Sequence, residues 1–161
     1  MIRPLALLLT VALAGCQAPP PDTAGGVQTP STRGVSTRDV VQLTNSQRRS
    51  LGALRSDARL SRAAKRHSEH MARQGRIGHR GPGGSTLMQR VKRAGYEPCL
   101  AAENVAAGQQ SARDVVQAWM TSPGHRRNIM IRQAEDVGIG VASDASGRLY
   151  WTMVLARPCG A

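Results

Sequence analysis

The sequence predicts an α+β domain built in packed layers, and three observations carry that expectation. Apolar residues recur at helical spacing through the first half, two β-prone runs lie near the C-terminus, and a four-residue turn, Asp144-Ala145-Ser146-Gly147, separates those runs. A helix opens at Thr37, with Val40, Leu43, Leu51 and Leu54 near helical spacing, and stops around Gly52. In the second helix Ser61 is placed to cap, and Leu60, Ala64, His67 and Met71 share a face that Arg62, Lys65, Arg66 and Arg73 avoid.

Residues 75–84 form a glycine-rich loop, after which Ser85 or Thr86 caps a short helix through Leu87, Met88 and Val91 that ends at Gly95. The brief apolar run 103–107 suggests a strand. Residues 111–120 return to helical spacing with Val115, Ala118 and Trp119 on one face. Ser122-Pro123 starts another helix, Ser122 at the cap and Pro123 at the first helical position. Val137, Ile139 and Val141 then alternate with small residues, and 149–155 is β-prone, so a hairpin closes the chain.

The 161 residues leave room for one domain once processed or unstructured segments are set aside. Phe is absent and the aromatics are Tyr96, Trp119, Tyr150 and Trp151, so aliphatic side chains and Met must fill the core. Arg3 followed by the apolar run 5–14 reads as a secretory signal, too short for a transmembrane helix of roughly 20 residues. Leu13-Ala14-Gly15-Cys16 matches a lipobox, at which diacylglycerol is attached to the Cys thiol and the chain is cleaved before it. The expected organisation is a signal peptide over 1–15, a lipidated Cys16 with a tether rich in Pro, Gly, Ser and Thr over 16–36, and a folded domain over 37–161. As a flexible coil the tether would span about 25 Å. Acyl chains on Cys16 would bind the membrane durably, at about 0.8 kcal/mol per buried methylene. Gln17 after the Cys favours an outer-membrane destination where the cell has one.

Cleavage would remove Arg3 and no acid, leaving 21 basic against 10 acidic residues, a charge of +11. Such a field favours anionic envelope polymers or headgroups, with salt-sensitive on-rates, although an arginine-rich solvated surface accounts for it as well. Basic residues without interleaved aromatics do not point to sequence-specific nucleic-acid recognition. With Cys16 lipidated, Cys99 and Cys159 remain, an even pair that in an oxidising compartment predicts a disulfide.

Chemistry-bearing patterns are few. His67 and His70 are three apart, whereas zinc-binding helices place two His four apart around a Glu, so a half-buried helix position is expected for them. His125, third in a proline-started helix, sits at the positive end of the dipole and is biased towards the neutral form, which suits a metal ligand or a packing role equally. Residues 81–86 lack the Gly-Lys-Ser/Thr ending of a phosphate loop, and no Gly-x-Ser-x-Gly elbow is present.

Several segments in order resemble one family. LTNSQRRSLGALRSDARLSRAAKRHSEHM, from Leu43 to Met71, is similar to the opening helices of bacterial CAP domains, with Asn45, Arg48, Gly52, Leu54, Leu60 and Ala64 at the expected places. RAGYEPCLAAENVAAG resembles the Gly-Glu-Asn segment, AWMTSPGHRRNIM the Trp-x-x-Ser-Pro-Gly-His-Arg-x-Asn signature, and DVGIGVA with LYWTMVLA the closing strands. The chain thus resembles the CAP superfamily of cysteine-rich secretory proteins, antigen 5 and pathogenesis-related 1 proteins over roughly residues 38–157. This implies a three-layer α-β-α sandwich on a central antiparallel sheet, with a cleft where His79, Glu103 and His125 face one another and Ser122 and Asn104 lie beside them. Ser122 stands where eukaryotic members carry a further acid, and Ala102 where Gly is common before the Glu.

Two neutral imidazoles, a carboxylate and an open position suit a divalent metal such as Zn²⁺. A Glu between two His serves equally as a hydrogen-bonded network that orders the cleft. Three functions are therefore expected as rivals: an envelope binding module for a metal or a small apolar or lipid ligand; a metal-assisted hydrolase of an envelope peptide or ester; and a tether that binds anionic polymers.

Overall fold

The computed structural model describes residues 35–160. The expected signal peptide, Cys16 and the tether as far as residue 34 lie outside the described residues.

Helix α1, Thr37–Gln47, is capped by Ser36, whose hydroxyl accepts from the Asp39 N–H at 3.1 Å. Val35 packs against the core, so the folded unit takes in the last two residues of the expected tether. The helix stops at Gln47, short of Gly52, because the Asn45 amide exchanges hydrogen bonds with the Leu54 backbone at 2.8 and 3.1 Å and leads the chain into strand β1, Arg55–Ser56. Sequence periodicity does not register so short a strand.

Helix α2, Ala58–Gln74, is capped by Asp57 and not by Ser61. The Asp57 carboxylate takes the Arg59 and Leu60 N–H groups at 2.7 and 3.0 Å, and a charge at a helix N-terminus outcompetes a hydroxyl. Ser61 sits one turn in and donates back to the Asp57 carbonyl at 2.9 Å. A 3-10 turn at Pro82–Gly84 leads to α3, Leu87–Arg93, where Thr86 and Gln89 form a reciprocal capping box. Strand β2, Pro98–Ala107, extends the apolar run five residues towards the N-terminus. Helices α4, Ala112–Thr121, and α5, Pro123–Ile129, follow, then strands β3, Asp136–Ser143, and β4, Leu149–Pro158.

The sheet runs β1-β3-β4-β2; β4 pairs antiparallel with β3 and β2, and β1 adds a two-residue parallel edge to β3. One face carries α1, α4 and α5, where Val40, Trp119 and Ile129 pack on Val137, Ile139, Trp151, Met153 and Leu155. The other carries α2 and α3, where Leu60, Ala64 and Val91 meet Val154 and Ala156. β4 is buried on both faces, hence its unbroken apolar run. The small residues of β3 let α2 lie directly on the sheet: a Cβ on Gly138 would stand 2.2 Å from the Leu60 carbonyl carbon. The expected α-β-α sandwich is the observed architecture.

Cys99 and Cys159 form the expected disulfide, tying the start of β2 to the end of β4 across 60 residues of chain. On the chain-entropy model this contributes up to about 4 kcal/mol. Among the described residues no helix is long and apolar enough to cross a membrane.

Candidate functional site

The site grows from β2. Strand alternation turns the Glu103 side chain away from the α4–α5 layer, where it is 3% exposed and takes hydrogen bonds from two other segments. His79, in the loop after α2, brings Nδ1 to 2.9 Å from Glu103 Oε1. Arg90 of α3, 7% exposed at its side chain, donates through Nη2 to Glu103 Oε2. Its Nη1 spans the His79 and Ser85 carbonyls at 2.9 and 3.0 Å, so the same guanidinium fixes the loop that presents His79. Beneath them His67 of α2 is wholly buried; its Nε2–H donates to the Gly78 carbonyl at 2.8 Å and lies 3.8 Å from Glu103 Oε1.

Charge and burial pull the histidines apart. The Glu103 hydrogen bond raises His79 above its ordinary value, and its ring is 63% exposed. Burial lowers His67, with the nearby Glu103 charge only partly opposing. His125 is lowered, the expected direction, but the causes are burial first and then the His79 charge. With Nδ1–H committed to Glu103, neutral His79 offers Nε2 as an acceptor, and protonated His79 offers it as a donor.

Of the expected residues, His79 and Glu103 are in direct contact. His125 is held by its backbone, whose carbonyl accepts from Asn104 Nδ2 at 3.0 Å. Asn104 is buried and ties β2 to α5, its Oδ1 accepting from Asn128 Nδ2 at 2.9 Å. Asn128 also donates to the Glu103 carbonyl at 3.1 Å. Ser122 occupies the N-cap of α5 without making a side-chain cap bond. The cavity above Glu103, about 480 Å³, is lined by His79, Arg80, Thr86, Leu87, Ala101, Ala102, Glu103 and Asn128, and His125 lies near enough to feel the His79 charge.

His67 and Arg90 escape sequence reasoning. His67 was expected to be half-buried on its helix, and Arg90 is one of three basic residues in a seven-residue helix with nothing to mark it as the inward one. Asn128, in contrast, is the Asn of the signature already quoted.

As a three-donor metal set the arrangement does not fit. Glu103 spends one oxygen on His79 and the other on Arg90, and a guanidinium on the carboxylate opposes a divalent cation. Among the described residues no group of three or more His, Cys, Asp or Glu is gathered to hold a metal ion. The arrangement can orient an imidazole and set its proton.

Relatives are consistent with this frame. Residues 34–155 match the cysteine-rich secretory protein family, CAP. An uncharacterised protein, YkwD, of Bacillus subtilis is 34% identical over 125 residues, 76% of this chain and 48% of its own; the chain therefore spans about half the length of that curated relative. An extracellular protein containing a SCP domain from Bacillus anthracis superposes with a TM-score of 0.65 at 28% identity, over 74% of this chain and 39% of the other. An outer surface protein of Borrelia burgdorferi shares the fold, with a TM-score of 0.65 at 21% identity, over 75% and 88% of the two chains. With its helices, sheet and motifs in the family's order, the chain belongs to the cysteine-rich secretory protein (CAP) family.

Proposed function

We propose that the protein is an extracytoplasmic, lipid-anchored binding module whose cleft at His79, Glu103 and Asn128 takes a small amphiphilic ligand. One observation carries the reading: an exposed imidazole is aimed by a carboxylate that is buried and neutralised by a buried guanidinium. Burying such a pair is expensive, and a hydrophobic replacement would hold the layers together as well, so the array is better explained by what it presents to solvent than by stability. Leu87, Ala101 and Ala102 give the cavity an apolar wall, and His79, Arg80 and Asn128 give it a polar one. The lipobox at Cys16 supports the anchor. The Cys99–Cys159 disulfide and the extracellular relative at 28% identity support the compartment.

Calorimetric titration of the full-length chain in uncharged detergent with a medium-chain fatty acid, and separately with Zn²⁺, tests the cleft. The reading expects saturable fatty-acid binding that His79→Ala weakens. Zn²⁺ binding lost in a His79→Ala/His125→Ala double variant would make the cleft a metal centre instead, and heat from neither probe would end the reading. Incorporation of labelled fatty acid, abolished by Cys16→Ala, checks the anchor.

A second reading has its own support. A carboxylate fixing the tautomer of an exposed imidazole is the base-and-orienter pair of hydrolytic chemistry. Turnover of an envelope ester or peptide that vanishes with Glu103→Gln would favour it over simple binding.

A further inference from the structure

His79 and Arg80 also line a second, smaller cavity of about 150 Å³, together with His70, Met71, Gln74 and Arg76. Its walls are fixed. Gly75, at φ 63°, ends α2 in the left-handed region with its N–H on the Ala72 carbonyl, and the Arg76 N–H returns to Met71 at 3.3 Å. Three residues after Gly75, the Gly78 carbonyl is pinned by the buried His67 imidazole at 2.8 Å. The loop is thus tied to α2 at both ends.

The charge in this cavity is one-sided. None of its lining residues is acidic. Among the described residues Arg73, Arg76 and Arg80 form no ion pair, and the side chain of Arg80 has one hydrogen bond, to the Gly84 carbonyl at 3.3 Å. The basic field reaches His70, which is held below its ordinary value by burial and then by the charges of Arg73, Arg76 and Arg90. Guanidinium groups pair with phosphate oxygens through parallel N–H donors, which a cavity with an imidazole and an amide on its rim complements. At roughly 30 Å³ per water, the space admits a phosphate group with a few waters.

We propose that this cavity is a phosphate-binding subsite, holding a phosphate group through Arg76, Arg80 and His70. It shares His79 and Arg80 with the cleft but does not rest on the cleft's ligand, because inorganic phosphate carries no apolar part for the cleft wall of Leu87, Ala101 and Ala102. Ile77, 53% exposed beside the cavity, gives the group's carrier an apolar contact, which a lipid offers and free phosphate does not.

The test uses the full-length chain in uncharged maltoside micelles, read by calorimetry and by the arginine Nε–H resonances. Inorganic phosphate should bind saturably and shift the Arg76 and Arg80 signals. Arg76→Ala/Arg80→Ala should weaken binding at least about tenfold, while Arg113→Ala on α4 leaves it unchanged. Both arginines are exposed, and the amide spectrum verifies that the double variant stays folded. Equal weakening by Arg113→Ala, or shifts reproduced by chloride at matched ionic strength, would overturn the proposal. Phosphatidylglycerol doped into the micelles supplies the second arm: movement of the same signals at lower concentration than inorganic phosphate requires identifies a lipid headgroup as the source. Response to inorganic phosphate alone identifies free phosphate.

Discussion

His79 Nδ1 lies 2.9 Å from Glu103 Oε1, joining a ring 63% exposed to a carboxylate 3% exposed. The pair bridges the solvent and the space between α2, α3 and the sheet, so any change at the cleft surface is felt by buried charge. Because Arg90 completes the array from below, Glu103 is the member whose loss leaves the largest imbalance.

Replacing Glu103 by Gln keeps the shape and removes the charge, leaving the Arg90 guanidinium buried without a counter-ion. Urea unfolding should show a loss of about 3 kcal/mol, the lower end for breaking a buried pair. Arg90→Met in the same chain should recover part of it, since the stranded charge is then gone. A double variant no more stable than Glu103→Gln alone would mean that the two side chains do not act as a pair.

The histidines make opposite contributions as the pH changes. His79 is raised in the fold, so its stabilisation is full below its ordinary value of 6.5 and fades as the pH rises through the folded value. His67 is lowered, so its contribution is full above 6.5 and is lost as the pH falls through the folded value. The difference in urea midpoint between the parent and His79→Gln should therefore shrink from pH 5 to pH 9. The difference for His67→Gln should instead change on the acid side. A His79 difference that grows with pH would contradict the Glu103 hydrogen bond as its source.

Gly140 supports α2 as Gly138 does, a Cβ there standing 2.3 Å from the Ala64 carbonyl carbon and the Lys65 nitrogen. Neither atom is the end of a flexible side chain, so Gly140→Ala must lift the helix. A loss of about 3 kcal/mol or more is expected, at the upper end of overpacking. Gly124→Ala, whose Cβ would meet nothing closer than 3.8 Å, is the control and should leave the melting temperature nearly unchanged.

Much of this was legible in the sequence, for reasons that differ by element. Long amphipathic stretches such as α2 declare their period, and Val137, Ile139 and Val141 declare a strand face. The glycines between them looked like mere alternation, since only the packed helix explains why nothing larger fits. Ser61 draws the expected cap because it lies closer to the periodic run than Asp57, yet the helix starts a turn earlier. In the cleft, His79 and Glu103 came from the resemblance to CAP domains and not from their spacing. His67 and Arg90 were hidden because inward orientation on a helix is decided by tertiary packing. Residue type cannot reveal which of Arg90, Lys92 and Arg93 faces a buried acid.

Arg48 provides the last prediction. It is wholly buried at the end of α1, and burial lowers it from its ordinary value. It has no ion pair among the described residues; it donates to three carbonyls, those of Ile129, Ile131 at 2.8 Å and Ala134 at 3.2 Å. These lie at the C-terminal end of α5 and in the turn beyond it, where the dipole is negative and carbonyls lack helical partners, so a guanidinium does there what no neutral group can. Arg48→Met should cost about 3 kcal/mol by leaving buried acceptors unpaired. Arg48→Lys should rescue little, because one ammonium cannot reach three carbonyls in the geometry a planar fork spans. The same helix carries Asn128, bonded to the Glu103 carbonyl, and His125, held by Asn104. Loosening its end should therefore shift the His79 and His125 ring resonances in the folded protein, although Arg48 touches neither. Ring resonances that stay in place while stability falls would show that α5 is positioned by its core contacts alone.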